Sequence, residues 1–427
     1  MSYARRAYSA LVYALLPVAL VRLVWRARRE PGYRRHLTER FGYYRNRPAA
    51  VQTMWVHAVS VGETHAAEPL VRALLERYPG ERVVITHTTP AGRAAGKSLF
   101  GGRIEQAYLP YDYPAAVARF LAHFRPRSGV LLETEVWPNL VHACRTRGIA
   151  LHLVNARLSE KSFRGYARFA ALTRDMFGSL TSVLAQTEDD ARRLSDLGAR
   201  HVQVAGNLKF DVTPSPELIE RGARWRAAWG ERRVVLAAST RDGEEALLLD
   251  QLSLLPRDTL FVIVPRHPQR FESVAKLIEQ RGLVYVRRSA NRAPGAETRV
   301  VLGDSMGEMA AYYSACDLAF IGGSLLPFGG QNLIEACAIG RPVLVGPHTY
   351  NFADAARRAI DFGAALRAAD AADLMRRATK LLDDAERRDE MARRGVEFSL
   401  AHRGATQRVM AIISAPATDS RQPDRFR

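Results

Sequence analysis

The residues best suited to chemistry lie where predicted strands give way to loops. In GGSLLPFGGQNLIEACAIGRPVLVGP, Gly322 to Pro347, the spacing predicts a strand ending at Ile321, a glycine-rich turn, a helix opening near Gln331 and a further strand at Pro342 to Val345. Such a turn brings backbone N–H groups and a helix N-terminus close to an anion such as phosphate. Asn332 and Glu335 are three apart, which on a helix puts both on one face. The Glu335 carboxylate is then placed either to accept the ribose hydroxyls of a nucleotide or simply to complement the helix dipole. Two more loops belong with this one. VPRHPQRF offers Arg266, next to Pro265, to a phosphate or a base, with Pro268 at a first helical position, and GDSMGEM has Gly307 where a planar base can approach the backbone between Met306 and Glu308. Three loops on one sheet edge predict a nucleotide site in the second half of the chain.

Carboxylates in the first half suggest proton transfer. In HAVSVGETHAAEPL, Glu63 follows Gly62 at a strand-to-helix turn, where a general base can reach a bound alcohol. Ser60 to Glu63 equally fits the capping box S-x-x-E, in which the carboxylate bonds back to the backbone, so spacing leaves base and cap both open. VLLETEVWPN supplies Glu133 and Glu135, two apart at a strand end and so expected to point the same way, or else to sit in ion pairs. Lys209 in GNLKFD is a cation available to a leaving phosphate, or a solvated lysine. AGRAAGKSLF imitates a phosphate-binding P-loop, but Gly92 and Gly96 enclose three residues where the loop needs four. A P-loop-like NTPase is therefore a weak alternative. No DxD triplet, HExxH or His/carboxylate cluster occurs, so no metal is expected.

The elements that must position these residues are short β-branched runs alternating with amphipathic stretches from Val51 onward, the pattern of βα units on parallel sheets. The rhythm breaks at GNLKFDVTPSPEL, with Pro214 and Pro216, and resumes at RRVVLAAS; a linker near residues 206 to 218 thus joins two doubly wound domains. A chain of 427 residues suits two cores rather than one. Helical patterns fill Phe352 to the end, and the tail from 416 to 427 reads as disordered. Three cysteines without metal-ligand spacing indicate a reducing compartment. The formal charge of +18 is concentrated: residues 1–47 hold eleven arginines against Glu30 and Glu39. Inside that segment the 15 uncharged residues Ala7 to Val21, interrupted by Pro17, fall short of the ~20 that span a bilayer. Flanking arginines favour lying on or dipping into an anionic leaflet, and the run ends in arginines rather than a cleavage site. A soluble-domain helix is the alternative. No basic stretch interleaved with aromatics suggests nucleic acid.

HAVSVGE, LPYD, ETEVWPN, NARLS, GNLKFD, ASTRDGEE, VPRHPQRF, GDSMGEM, GGSLLPFGGQN and GPHTYNF, taken in order, closely resemble the transferases of 3-deoxy-D-manno-octulosonic acid (Kdo) in lipopolysaccharide biosynthesis, over nearly the whole chain. The resemblance implies a GT-B fold, two Rossmann-like domains facing a cleft. It also implies a CMP-Kdo donor, a lipid A precursor (lipid IVA) as acceptor, inversion at the anomeric carbon and no metal or other cofactor. Residues 1–35 would be a membrane-anchoring segment on the cytoplasmic face of the inner membrane, 36–210 the acceptor-binding domain and 211–415 the CMP-sugar-binding domain. Carried over by motif, Glu63 is the expected base, Glu135 (or Glu133) and Lys209 stabilise the transition state, and Pro265, Arg266, Met306, Gly307, Glu308, Asn332, Leu333, Ile334 and Glu335 contact CMP. The chain departs from the family pattern at Arg241 and Gln331, where other members have histidine. A GT-B enzyme using another nucleotide sugar, and a membrane-attached binding module without catalysis, are the competing readings.

Overall fold

The computed structural model describes residues 3–45 and 50–414. The chain divides into two compact units, the first ending at Val212 and the second spanning Thr213–His402, with residues 403–414 returning to the first. Sequence continuity assigns the last helix, Ala405–Ile413, to the second domain; its Ala405, Val409 and Ile413 instead join the core formed by Leu70, Leu74 and Leu208. Asp211 fixes this return by accepting from the N–H groups of Gly404 (2.7 Å) and Thr406 (2.5 Å). The expected disordered tail lies outside the described residues.

In the first unit, β1 (Thr53–His57), β2 (Arg82–His87), β3 (Glu105–Tyr108), β4 (Pro126–Leu132), β5 (Ala150–Ala156), β6 (Ser182–Ala185) and β7 (Val202–Val204) form one parallel sheet in the order β3-β2-β1-β4-β5-β6-β7. The interior strands are apolar on both faces because helices cover both, as a parallel sheet requires. Every residue of β1 is buried. The order reverses between β1 and β4, and at such a switch point the following loops diverge and leave a crevice at the carboxyl ends of the strands.

The second unit repeats the plan. Its strands are β8 (Val234–Thr240), β9 (Leu260–Pro265), β10 (Tyr285–Arg287), β11 (Val300–Leu302), β12 (Leu318–Ile321), β13 (Val343–Val345) and β14 (Ala365–Arg367), in the order β10-β11-β9-β8-β12-β13-β14. β8 and β12 flank the switch point. β14 lies in a region that reads as helical; three residues are too short to show an alternating pattern, and their pairing with β13 decides the conformation.

The apolar N-terminal run folds as two helices, Tyr3–Ala14 and Leu16–Arg29, bent by 47° at the break before Pro17. No single helix among the described residues is long and apolar enough to cross a membrane, although this bent pair passes by length and composition. The first helix is docked on its unit: Ser9 Oγ donates to Asn139 Oδ1 at 2.9 Å, Tyr8 bonds the buried Asp112, and the rings of Tyr13 and Tyr113 lie 5.0 Å apart. Asp112 in turn accepts from the N–H groups of Asn139 and Leu140, capping the helix that starts at Pro138. The LPYD and WPN motifs therefore serve to seat this N-terminal helix. Most of the apolar run is not core: Val18 is 62% and Val21 70% exposed, and Leu11, Leu15, Val24 and Trp25 are exposed as well.

Candidate functional site

Glu63 sits just beyond β1, in the first turn of the helix Val61–Ala66. Ser60 caps that helix, its Oγ accepting from the Glu63 N–H at 3.3 Å. The reciprocal half of the capping box is altered. The carboxylate accepts from the Val59 N–H at 2.8 Å and from Ser60 Oγ at 3.1 Å, rather than from the Ser60 N–H. Two residues at and just after the end of β2 hold this backbone. The buried His87 places its Nδ1 3.0 Å from the Ala58 carbonyl, and Thr89 Oγ1 donates to the Val59 carbonyl at 3.0 Å. Burial pushes the His87 imidazole down to about 4, so it is neutral at pH 7 and donates from Nδ1. Sequence alone gives no sign of His87; Thr89 is legible only as a helix cap before Pro90.

The P-loop-like stretch is the helix Pro90–Phe100, capped by Thr89, with no phosphate loop. Its glycines permit close packing: a Cβ on Gly92 would lie 3.0 Å from the Val59 carbonyl oxygen, and one on Gly96 2.5 Å from Gln106 Oε1. The NTPase alternative is excluded by this geometry.

β4 ends at Leu132, so Glu133 and Glu135 are not on a strand and the expected common direction does not hold. Glu133 takes a left-handed conformation with φ 59°, uncommon and costly for a non-glycine residue. This turns its side chain to Lys209, whose Nζ donates to Glu133 Oε1 at 3.1 Å. Lys209 lies in the short turn Leu208–Asp211, held by Leu208 N–H donating to the buried Asn155 Oδ1 at 3.1 Å. The lysine thus partners Glu133. Glu63 feels the result: burial, then the Glu133 charge, push its carboxyl up to about 7, with Glu135 adding to the rise and the bonds from Val59 and Ser60 opposing it. Glu135 is likewise raised by burial. A carboxyl that exchanges its proton near neutrality is equipped for general-base work.

In the second unit the loops after β8 and β12 meet at the switch point, and the loop after β9 joins the end of β8 through the Arg266 N–H on the Thr240 carbonyl. The glycine turn is tied down by a group the sequence does not advertise: Glu244, fully buried, accepts from the N–H groups of Arg241 (2.8 Å), Gly323 (2.6 Å) and Leu325 (2.9 Å). The helix expected near Gln331 opens later, as Ile334–Ala338. Gly329 and Gly330 have φ 90° and 77°, and the N–H groups of Gly330 and Gln331 bond the carbonyls of Gly323 and Gly322, which holds these residues in the turn. Asn332 lies before the helix, so the shared-face argument with Glu335 fails; its Oδ1 accepts from the Ile334 N–H at 3.1 Å. Leu333 and Ile334 are buried core, leaving their backbone as their available contact. Glu335 reaches the surface in part, and burial pushes its carboxyl up to about 7.

Pro265 ends β9, and the Arg266 N–H donates to the Thr240 carbonyl at 2.9 Å. Gly307 has φ 78° with open space where a Cβ would be, and Met306 beside it is exposed. Glu308 is engaged by Arg221 (2.7 Å) and Arg288 (3.0 Å). The two departures from the family pattern lie together: a Cβ on Gly323 would be 3.1 Å from Gln331 Nε2 and 3.4 Å from Arg241 Cγ. Among the described residues no group of three or more His, Cys, Asp or Glu is arranged to hold a metal ion.

A family model described as 3-deoxy-D-manno-octulosonic-acid transferase matches residues 35–212, and one described as glycosyl transferases group 1 matches residues 282–398. A 3-deoxy-D-manno-octulosonic acid transferase of Bordetella pertussis is 47% identical over 94% of this chain and 98% of its own length. The chain belongs to the Kdo transferase family. The Haemophilus influenzae Kdo transferase is 36% identical, over 95% of this chain and 97% of its own. The UDP-GlcNAc 2-epimerase of Neisseria meningitidis has a TM-score of 0.59 at 17% identity, covering 86% of this chain and 100% of its own, a likeness of fold alone. The fold class is that of GT-B glycosyltransferases, as the Kdo transferase motifs imply.

The folded chain retains the Glu63 proton to about pH 7, whereas an ordinary glutamic acid releases it near 4.5. Between those values the unfolded state binds fewer protons, so ionising Glu63 lowers stability as pH rises. Glu63→Gln keeps the acceptor for Val59 N–H without the charge. It is expected to melt a few degrees above the wild type at pH 8, with the gain vanishing near pH 4.5; melting curves across that range check this. A variant less stable at both pH values would make Glu63 a simple cap.

Proposed function

We propose that this chain transfers Kdo from CMP-Kdo to a hydroxyl of a lipid A precursor, inverting the anomeric carbon without a metal. The observation that carries the reading is the Glu63 carboxylate, held by the Val59 N–H and Ser60 Oγ at the switch point of the unit that matches the Kdo transferase model, where burial pushes it up to about 7. Glu63 takes the proton of the acceptor hydroxyl as its oxygen attacks C2 of the donor sugar. The C2–O bond to phosphate breaks, and CMP departs with the bonding electrons. Because CMP is a good leaving group, the demanding step is activation of the hydroxyl. Lys209 stays fixed against Glu133, and its positive charge offsets negative charge developing near the base. Glu135, raised by burial, is a supporting carboxyl in this scheme.

On the donor side, Glu335 accepts ribose hydroxyls. The backbone from Asn332 to Ile334 and the open Met306-Gly307 turn contact the nucleotide, and Arg266 binds its phosphate. Glu308 orders the Gly307 turn through Arg221 and Arg288 rather than facing the ligand unpaired.

The N-terminal helices supply the route to a lipid acceptor. Their exposed apolar residues, Val18, Val21 and Val24 among them, form a surface too apolar to be left in water, and Arg22, Arg26 and Arg28 around it are exposed. Such a face lies on an anionic leaflet, with the charge part of the attraction weakened by salt.

Two outcomes test this reading. Mass spectrometry after incubation with CMP-Kdo and a tetraacylated lipid A precursor is expected to show acceptor heavier by one or more Kdo units, equally in EDTA; unchanged acceptor would contradict the reading, and loss of product only in EDTA would overturn its metal-free part. Replacing Val18, Val21 and Val24 by serine is expected to reduce co-sedimentation with anionic vesicles at least tenfold while leaving the melting temperature unchanged. Undiminished vesicle binding would remove these helices from membrane attachment.

A further inference from the structure

We infer that Arg241 is the seat of the donor sugar's carboxylate, beside Arg266 as the seat of the nucleotide phosphate; this rests on the CMP-Kdo reading above. β8 and β9 end side by side, with Thr240 paired to Pro265 in register and the Arg266 N–H on the Thr240 carbonyl. Arg241 and Arg266 therefore leave adjacent points of the backbone. The Arg241 main chain is held by Glu244, whose same Oε2 accepts from Gly323 in the glycine turn. Its side chain is held as well, the guanidinium lying 4.7 Å from the centre of the Phe328 ring.

Neither guanidinium has an acidic partner among the described residues, in contrast to Arg270, which pairs with Asp242 and Glu245, and to Arg221 and Arg288, which share Glu308. The two like charges act on each other instead. Burial and then Arg241 lower the Arg266 guanidinium, and burial, Arg241 and Arg266 lower the His267 imidazole. Two partly buried cations repelling each other beside a switch point are a site for two anionic groups close together. A CMP-linked 2-ulosonic acid is such a ligand: its anomeric C2 carries both the phosphodiester oxygen and the C1 carboxylate. Guanidinium forks suit both groups. The two charges have different fates, since phosphate stays with CMP while the carboxylate leaves with the product.

That difference gives the test. Arg241→Gln and Arg266→Gln are made in the full chain, with CMP affinity measured by calorimetry and KM for CMP-Kdo by transfer to the lipid acceptor. Arg241→Gln is expected to raise KM for CMP-Kdo on the order of tenfold and leave CMP affinity within about twofold, with Arg241→Lys recovering part of the loss. Arg266→Gln is expected to weaken both. If Arg241→Gln weakens CMP as much as CMP-Kdo, Arg241 is a phosphate contact, and if it changes neither, it is structural; both results overturn the assignment. A wild-type chain with no affinity for CMP would overturn the donor reading itself, and this proposal with it.

Discussion

A carboxylate withdrawn from water must find hydrogen-bond donors or else hold its proton, and that constraint organises both units. Glu244 is fully buried and accepts three backbone N–H groups, which fixes the glycine turn after β12 to the loop after β8. Glu63 is given less: one backbone N–H, one hydroxyl, and the repelling charge of Glu133 nearby. The first residue is therefore a clamp. The second is left with its proton poised near neutrality, which is what a base for an alcohol needs.

The sheets explain why these groups meet. Parallel strands deliver all their following loops to one edge, and reversal of strand order opens a crevice there. Glu63 follows β1 and Glu133 follows β4, the two strands that flank the reversal in the first unit; Arg241 follows β8 and the glycine turn follows β12 in the second. The left-handed backbone at Glu133 and the close approach of Gly92 to the Val59 carbonyl are local adjustments that aim these groups. Strain at such positions persists because the surrounding packing over-determines it.

Much of this was legible in the sequence. Interior strands from TMWVH to RPVLV show as apolar runs because both faces are buried, and the Pro-rich break near Val212 marks the division of the chain. Glu63 and Arg266 could be named as candidates from their places after strands, Glu335 from a helix beside the glycine turn, and Lys209 from its motif at the break between the domains. What escaped depended on geometry that spacing does not encode. The helix start at Ile334 was misplaced because hydrogen bonds from Gly330 and Gln331 back to Gly323 and Gly322 hold the turn open. The partner of Lys209 went to Glu133 through a backbone angle invisible in one-letter code, and the last helix went to the first unit through contacts with residues more than 300 positions earlier, among them Leu70. His87 and Glu244 act through distant backbone groups, so no local pattern announces them.

The central claim is that the holding of Glu63 makes it the base. The most direct measurement is the pH dependence of kcat/KM for transfer by the wild type and by Glu63→Gln. With the ionised carboxylate as the active form, wild-type kcat/KM should rise with pH through about 7 and then level off, while the Gln variant should fall on the order of 10²-fold and lose that limb. Near-normal transfer by the Gln variant, with the same dependence on pH, would contradict the account.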